Sequence, residues 1–271
     1  AAIAIIRRLK LGISMLDDTS TDAAIARLIE KAEGDDWTPA TDIDWNLQIK
    51  YPFWFRKRTY RSLVSQFHHG EKAVMQMCDH LAPLLDDDEA RRFVALQRRD
   101  EAKHADVYGA YAERLGGIQP MEPALDAVLR ESRDWPGSAA GIILAFHMVF
   151  EGGAVGLIEK LVRRFPCPLF AALNARILID EARHVAFGRH YLGRQLPLMP
   201  AGERIALYRW VQGLWYRAGA ETRARYTWPV AMVTRLGSDW LEAGWQRQSG
   251  ILIGIGLISE AERESLGAAR R

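Results

Sequence analysis

The chain has 271 residues, 49% of them apolar and 26% charged, a balance that supports a buried core and excludes a disordered chain. With 36 basic against 34 acidic residues the net charge is only +2, too even for a protein held chiefly by nucleic-acid phosphates. Two cysteines, Cys78 and Cys167, exclude a disulfide framework or a four-thiolate metal site and fit a reducing, cytoplasmic compartment.

The opening AAIAIIRRLKLG sets its apolar residues before its cations, the reverse of a secretory signal, so none is expected. An amphipathic helix is predicted over 22–32, followed by the polar break EGDDWTPATDIDW, whose Gly, Asp and Pro read as loop. From 52 to 196 apolar residues recur at spacings of three and four, which predicts long helices over 55–84, 88–115, 138–164 and 168–196. Acidic residues in LLDDDEA open the second of these, and Gly116-Gly117 closes it. WPGS precedes the third, FPCP separates the third from the fourth, and PMEPALDAVLRES reads as a short connecting helix. Further helices are predicted over 201–225 and 229–248, with a short one at the C-terminus. RIALYRWVQGLWYRAGAETRARY combines Arg and aromatics, as single-stranded RNA platforms do. At this net charge it reads as an amphipathic helix with its arginines outward. The longest apolar run, 139–150, has 12 residues, short of the roughly 20 a bilayer needs, so no membrane span is expected. No strand pattern stands out. The expectation is one all-α domain over 1–271: an antiparallel four-helix bundle at about 52–196, an N-terminal extension 1–51 and additional C-terminal helices 197–271.

Two segments read alike, DEAKHADVYGAYAER from Asp100 and DEARHVAFGRHYLGR from Asp180, offset by 80 residues. Both hold Asp-Glu-x-x-His, then Tyr seven after the His and Arg three further on (Tyr111 and Arg114; Tyr191 and Arg194). A second pair keeps the offset: Glu71 lies 30 before Glu101, and Glu151 lies 30 before Glu181. With 17 Glu and 7 His in the chain, Glu-x-x-His is expected about 0.4 times by chance, and about 0.03 times with Asp before it. Both copies carry the Asp. Residues i and i+3 share a helix face, so Glu101 points with His104 and Glu181 with His184. Glu71 and Glu151 interrupt otherwise apolar faces. Four buried carboxylates repel one another unless cations accompany them, and two divalent metals neutralise four carboxylates. Oxygen and imidazole donors suit iron or manganese better than a thiolate-seeking metal.

On these residues the chain resembles the ferritin-like di-iron carboxylate proteins over about 37–194. These include ribonucleotide reductase small subunits, multicomponent monooxygenase hydroxylases, acyl-carrier desaturases and aldehyde-deformylating oxygenases. The resemblance implies a ferritin-like bundle with Glu71, Glu101, His104, Glu151, Glu181 and His184 as ligands of two iron ions, or of manganese or a mixed Fe/Mn pair. It implies O2 as co-substrate, and Asp100 and Asp180 as carboxylates that orient the ligand histidines. Tyr108, four after His104, matches the radical tyrosine of the reductase small subunits. Trp37, in WTPATDID, resembles their tryptophan coupled to the motif Asp, here Asp180, which implies an electron path into the site.

The chain also departs from its relatives. Only 47 residues separate His104 from Glu151, and the end ERESLGAARR has no tyrosine and no acidic docking tail. Phe146 stands where ether-crosslinked oxidases place a tyrosine, Ile177 where N-oxygenases place a histidine, and Val155 where multicomponent hydroxylases place a threonine. Against the repeat, Tyr108 maps onto Gly188, and Lys72-Ala73 onto Gly152-Gly153. Glycine inside a helix costs about 1 kcal/mol relative to alanine, so these glycines suggest room for O2 and substrate, or close packing. Phe146, Phe150, Ala154 and Phe187 would wall such a pocket, with His147 one turn before Glu151. His147 reads as a hydrogen-bonded core residue, His68 and His69 as peripheral, Tyr111 and Tyr191 as core, and Arg114 and Arg194 as helix-end partners.

The function expected is a non-haem di-iron oxygenase or oxidase that hydroxylates, desaturates, N-oxygenates or cleaves a small organic molecule. The absence of a Gly-rich dinucleotide fingerprint or cysteine cluster calls for an external electron donor, a reductase or ferredoxin. A homodimer is expected, with no nucleic-acid or membrane partner. The alternatives are a radical-generating subunit using Tyr108, and a peroxidase, catalase or iron-handling protein.

Overall fold

A computed structural model of the protein describes residues 21–51, 56–165, 167–234 and 239–268, with only the backbone for 21–22, 221–234 and 267–268. The opening AAIAIIRRLKLG therefore lies outside the described residues, as do the side chains of ETRARY. Helix α1 spans Thr21–Gly34, and a single helical turn at Pro39–Asp42 follows. The bundle comprises α2 (Lys57–Leu81), α3 (Asp88–Arg114), α5 (Ala139–Arg164) and α6 (Pro168–Gln195), with α4 (Pro123–Arg133) crossing between its halves. Beyond it lie α7 (Ala201–Thr234), α8 (Trp240–Gly254) and α9 (Glu260–Ala268). No strand occurs among the described residues, in keeping with an all-α ferritin-like fold.

Local chemistry sets the boundaries. The Asp87 carboxylate caps α3 by accepting from the backbone N–H of Glu89 and Ala90 at 2.9 and 3.2 Å. After Arg114 the chain turns through Gly116 and Gly117 at φ of 111° and 103°, a left-handed region that favours glycine. Proline at the first or second position starts α4 and α6, where its missing N–H costs nothing. The expected break at Pro229 is not where the chain breaks: α7 continues through it to Thr234, and α8 begins only at Trp240.

Helices α2 and α3 form one antiparallel hairpin, and α5 and α6 the other, with α1 packed on α3 and α6. Two apolar clusters hold the bundle together. One contains Val74, Phe93, Val149 and Phe187; the other contains Val64, Tyr108, Leu161 and Ile177. Along every bundle helix the carboxylates fall between these clusters, so the bundle carries a polar layer across its waist.

Helix α5 is long and apolar enough, by length and composition, to cross a membrane, and 61% of its apolar window is buried inside the molecule. The apolar stretch is longer than the run 139–150 because the glycines and Ala154 beyond Glu151 extend it. Its Leu144–Glu151 segment is π-helical. Helix α7 packs against α4, α5 and α8; its Arg209 and Arg217 are exposed, and Arg217 pairs with Glu131 at 2.7 Å.

Candidate metal centre

The i, i+3 spacing on straight helices carries Glu101 and His104 from α3, and Glu181 and His184 from α6, into the waist, where all four are buried. Glu71 from α2 and Glu151 from α5 complete the layer. One donor atom from each of Glu71, Glu101, His104 and Glu181 lies within 4.8 Å of the others, and the same holds for Glu101, Glu151 and His184. The first group defines position A and the second position B; Glu101 belongs to both. Its carboxylate lies 3.3 Å from His104 Nδ1 and 3.0 Å from His184 Nδ1, while that of Glu181 lies 3.2 and 3.9 Å from the same atoms. These two carboxylates therefore span the space between the imidazoles.

The donor set fits a pair of metal ions. His104 Nδ1, His184 Nδ1, Glu101 Oε2 and Glu151 Oε2 are buried without a hydrogen-bond partner, an expensive arrangement for atoms that nothing binds. Burial pushes the carboxyls of Glu71, Glu151 and Glu181 up, and neighbouring carboxylates add to the effect. Burial also opposes ionisation of Glu101, but His184 and His104 beside it outweigh that and hold its carboxyl below the usual range. Burial disfavours charge on both imidazoles, yet Asp180, Glu101 and Glu181 raise His104, and Glu101 and Asp100 raise His184.

The two candidate ligand histidines face carboxylates of the opposite hairpin. His104 Nε2 donates to Asp180 at 3.0 Å, and Asp180 also accepts from Trp37 Nε1 at 2.7 Å and pairs with Arg183. His184 Nε2 faces Asp100 at 3.7 Å, longer than a hydrogen bond, and Asp100 pairs with Lys103 at 2.8 Å. Each motif Asp thus faces the histidine of the other motif, an exchange that the linear repeat conceals. Lys103 and Arg176 lie over the Trp37 ring at 5.4 and 5.8 Å. Tyr108 donates to Asn174 Oδ1 at 2.7 Å and stacks on Phe67. An amide oxygen is not a proton acceptor for tyrosine oxidation.

A cavity of about 550 Å³ opens onto Glu71, Glu151 and Glu181. Phe67 and Val74 of α2, Leu125 and Leu129 of α4, and Phe150, Gly152, Gly153 and Ala154 of α5 line it. Trp215 of α7 and Trp240, Gly244 and Gln248 of α8 complete its wall. Phe146, His147, Phe187 and Gly188 are not among its walls. Phe187 stacks on Phe93 at 4.4 Å, and Phe146 packs on Phe150. At Gly188 a β-carbon would lie 2.5 Å from His147 Cβ, so this glycine serves close helix packing. His68 and His69 bind the backbone carbonyls of Ala105 and Gln119, each at 2.8 Å. Tyr111 meets Tyr60 and Cys167, and Arg194 pairs with the capping Asp87 at 2.7 Å.

Sequence reasoning missed Gln97. Its Nε2 donates to Glu151 Oε1 at 2.8 Å, and its Oε1 lies 2.9 Å from His147 Nε2. Its only signal was an amide one turn before Glu101 where the other motif has Ile177. The π-helical segment was missed as well; such segments recur at functional sites, and here Gln248 donates to its Met148 carbonyl.

No protein-family model matches the sequence, and no curated protein does. Solved structures do. An R2-like ligand-binding oxidase with aerobically reconstituted Mn/Fe cofactor is 20% identical, covering 87% of this chain and 92% of that one, with a TM-score of 0.58. Two variants of R2-like ligand-binding oxidase with anaerobically reconstituted Mn/Fe cofactor give TM-scores of 0.63 and 0.61 at 18% and 20% identity. They cover 85% and 87% of this chain and 92% and 93% of theirs. The chain thus has the ferritin-like helical fold of the R2-like ligand-binding oxidases.

Proposed function

We propose that the protein is an O2-dependent di-metal oxidase that oxidises a small organic molecule held in the cavity beside the carboxylate layer. The observation that carries this reading is the cavity of about 550 Å³ reaching Glu71, Glu151 and Glu181. A storage or catalase site needs no apolar chamber of that size. Glu71, Glu101, His104, Glu151, Glu181 and His184 would hold two iron ions, or a manganese–iron pair as in the structures of similar fold. Bound there, the metals supply reduction of O2 and the oxidising power that protein side chains lack.

The chain's own residues set the conditions. Asp180 fixes His104 with Nδ1 facing the layer. The largely apolar walls suit an organic substrate held beside the three carboxylates. Phe146 has no hydroxyl with which to form the tyrosine ether of crosslinked relatives. Hydroxylation, desaturation, N-oxygenation and cleavage all suit such a chamber. Electrons come from a separate donor protein, through the hydrogen-bonded chain Trp37–Asp180–His104. A cytoplasmic setting suits the two buried free thiols, and a homodimer remains part of the proposal. The reductase-type radical role is not preferred, because the Tyr108 hydroxyl is committed to a non-basic amide.

The test is to load the protein anaerobically with ferrous iron, or with manganese and iron, mix it with O2, and follow visible absorption and electron paramagnetic resonance. The proposal expects a transient metal-centred signal that suitable small molecules quench, with oxidised product formed. A long-lived tyrosyl signal lost in Tyr108→Phe would overturn it in favour of the radical subunit.

A further inference from the structure

Helix α3 places Gln97 one turn before Glu101, and the amide is 1% exposed. Its Nε2 is 2.8 Å from Glu151 Oε1 and 3.4 Å from Glu101 Oε1. The amide nitrogen faces the two carboxylates, and it donates to them in the ionised form that a metal ligand takes. The amide oxygen then faces His147 Nε2 at 2.9 Å, and that ring nitrogen must carry the proton. His147 is fully buried and sits in the π-helical segment that ends at Glu151. Its ring lies 5.4 Å from Phe187, and a β-carbon on Gly188 would strike its Cβ. The imidazole is therefore clamped, and through it the orientation of the Gln97 amide is set.

The result is a difference between Glu151's two oxygens. Oε1 is occupied by Gln97, whereas Oε2 is buried without a partner. In the other half the repeat places Ile177, whose side chain has no donor to offer a carboxylate. The two positions also differ in charge: position A gathers three carboxylates and position B two.

We propose that Gln97, held by His147, is a positioning residue that restricts Glu151 to one-oxygen ligation and so makes metal position B distinct from position A. The inference rests on the di-metal reading above. It is specific to this pair of side chains, since Glu151 also borders the cavity and would otherwise be free to turn into it.

The test titrates metal-free protein with Co2+ alone and follows its visible bands, which report coordination number, in wild type, Gln97→Met and His147→Phe. Glu71→Ala and Glu151→Ala assign the two binding steps, because each removes a ligand that only one position uses. Losing an outer hydrogen-bond partner typically costs about 10- to 100-fold in metal affinity. The expected result is that loss at position B in Gln97→Met, with position A unchanged within about threefold and a changed band at B. His147→Phe should weaken B in the wild-type background but add nothing in Gln97→Met, because it acts through the amide. Equal weakening of both positions, unchanged binding in Gln97→Met, or a full additive loss from His147→Phe would each overturn the inference. Helicity and melting of the metal-free variants separate misfolding from a change in ligation; if Gln97→Met unfolds, Gln97→Glu, which keeps the length but cannot donate when ionised, must weaken B. Failure of wild type to bind two Co2+ would instead overturn the di-metal reading itself.

Discussion

Gly152 and Gly188 are both helical glycines near the candidate ligands, and the structure predicts opposite responses to the same added methyl group. Replacing glycine by alanine inside a helix is worth about 1 kcal/mol in backbone propensity. At Gly152 the new β-carbon would meet its nearest neighbour, the His147 carbonyl oxygen, at 3.6 Å, and Gln248 Nε2 at 3.9 Å, ordinary contacts. Gly152→Ala should therefore keep most of the gain, raising Tm by about 2–3 °C in a chain of this size. At Gly188 the β-carbon would lie 2.5 Å from His147 Cβ, 3.2 Å from its Cγ and 3.4 Å from Met148 Sδ. The obstacle is the root of a clamped side chain, which cannot swing away. Overpacking of this kind costs about 1–3 kcal/mol; at about 2 kcal/mol it outweighs the propensity gain of about 1 kcal/mol, so Gly188→Ala should lower Tm by about 2–3 °C. The assay is thermal unfolding of the two metal-free variants beside wild type by circular dichroism. A more stable Gly188→Ala, or a less stable Gly152→Ala, would refute the assignment of one glycine to packing and the other to cavity space. A larger side chain at 152 serves as a functional companion: Gly152→Leu should exclude substrates from the cavity while both metals still bind.

Three further predictions concern the carboxylate layer. The carboxyls of Glu71, Glu151 and Glu181 and the imidazoles of His104 and His184 are all raised in the fold. Their stabilisation is complete below the ordinary values of 4.5 and 6.5 and is lost as pH rises through the folded ones. Burial lowers His147, His68 and His190, whose opposite contribution is complete above their ordinary value of 6.5; from about pH 6.5 to 8 the metal-free protein should thus melt lower as pH rises, whereas the metal-loaded protein, whose ligands bind deprotonated, should not; parallel melting curves with the same slope would contradict this. Asp180→Asn removes the carboxylate that accepts from both His104 and Trp37 and should weaken metal binding at position A by about 10- to 100-fold in chelator competition; unchanged affinity would count against the orienting role. Tyr108→Phe leaves the Asn174 amide oxygen without its donor, costing about 1 kcal/mol of stability, with O2 consumption retained; abolished O2 consumption would return Tyr108 to the chemistry.

That six polar side chains meet in one buried layer was legible because they interrupt apolar helix faces, and a repeated hairpin writes them twice at one offset. Helix boundaries at Asp88, Gly116 and Pro168 were legible because caps, glycines and prolines act within a few residues. Pro229 misled because the backbone of α7 continues through it to Thr234. The π-helical turn has no compositional signature: LAFHMVFE suits any buried helix. Gln97 was hidden because one amide among apolar and charged neighbours means nothing until the fold brings Glu151 and His147 to it. The same limit applies to the cavity wall, whose Trp215, Trp240 and Gln248 lie far along the chain from Glu151. Phe146, Phe187 and Gly188 are near the ligands in sequence, yet their side of the helices faces the core.

The most direct test of the account is metal stoichiometry in wild type and Glu101→Gln, measured by elemental analysis after anaerobic loading and desalting. Glu101 alone belongs to both donor groups, so wild type should retain two metal ions per chain and Glu101→Gln should lose both. A Glu101→Gln protein that is folded and still holds two ions would contradict the shared-carboxylate site on which the proposed function stands.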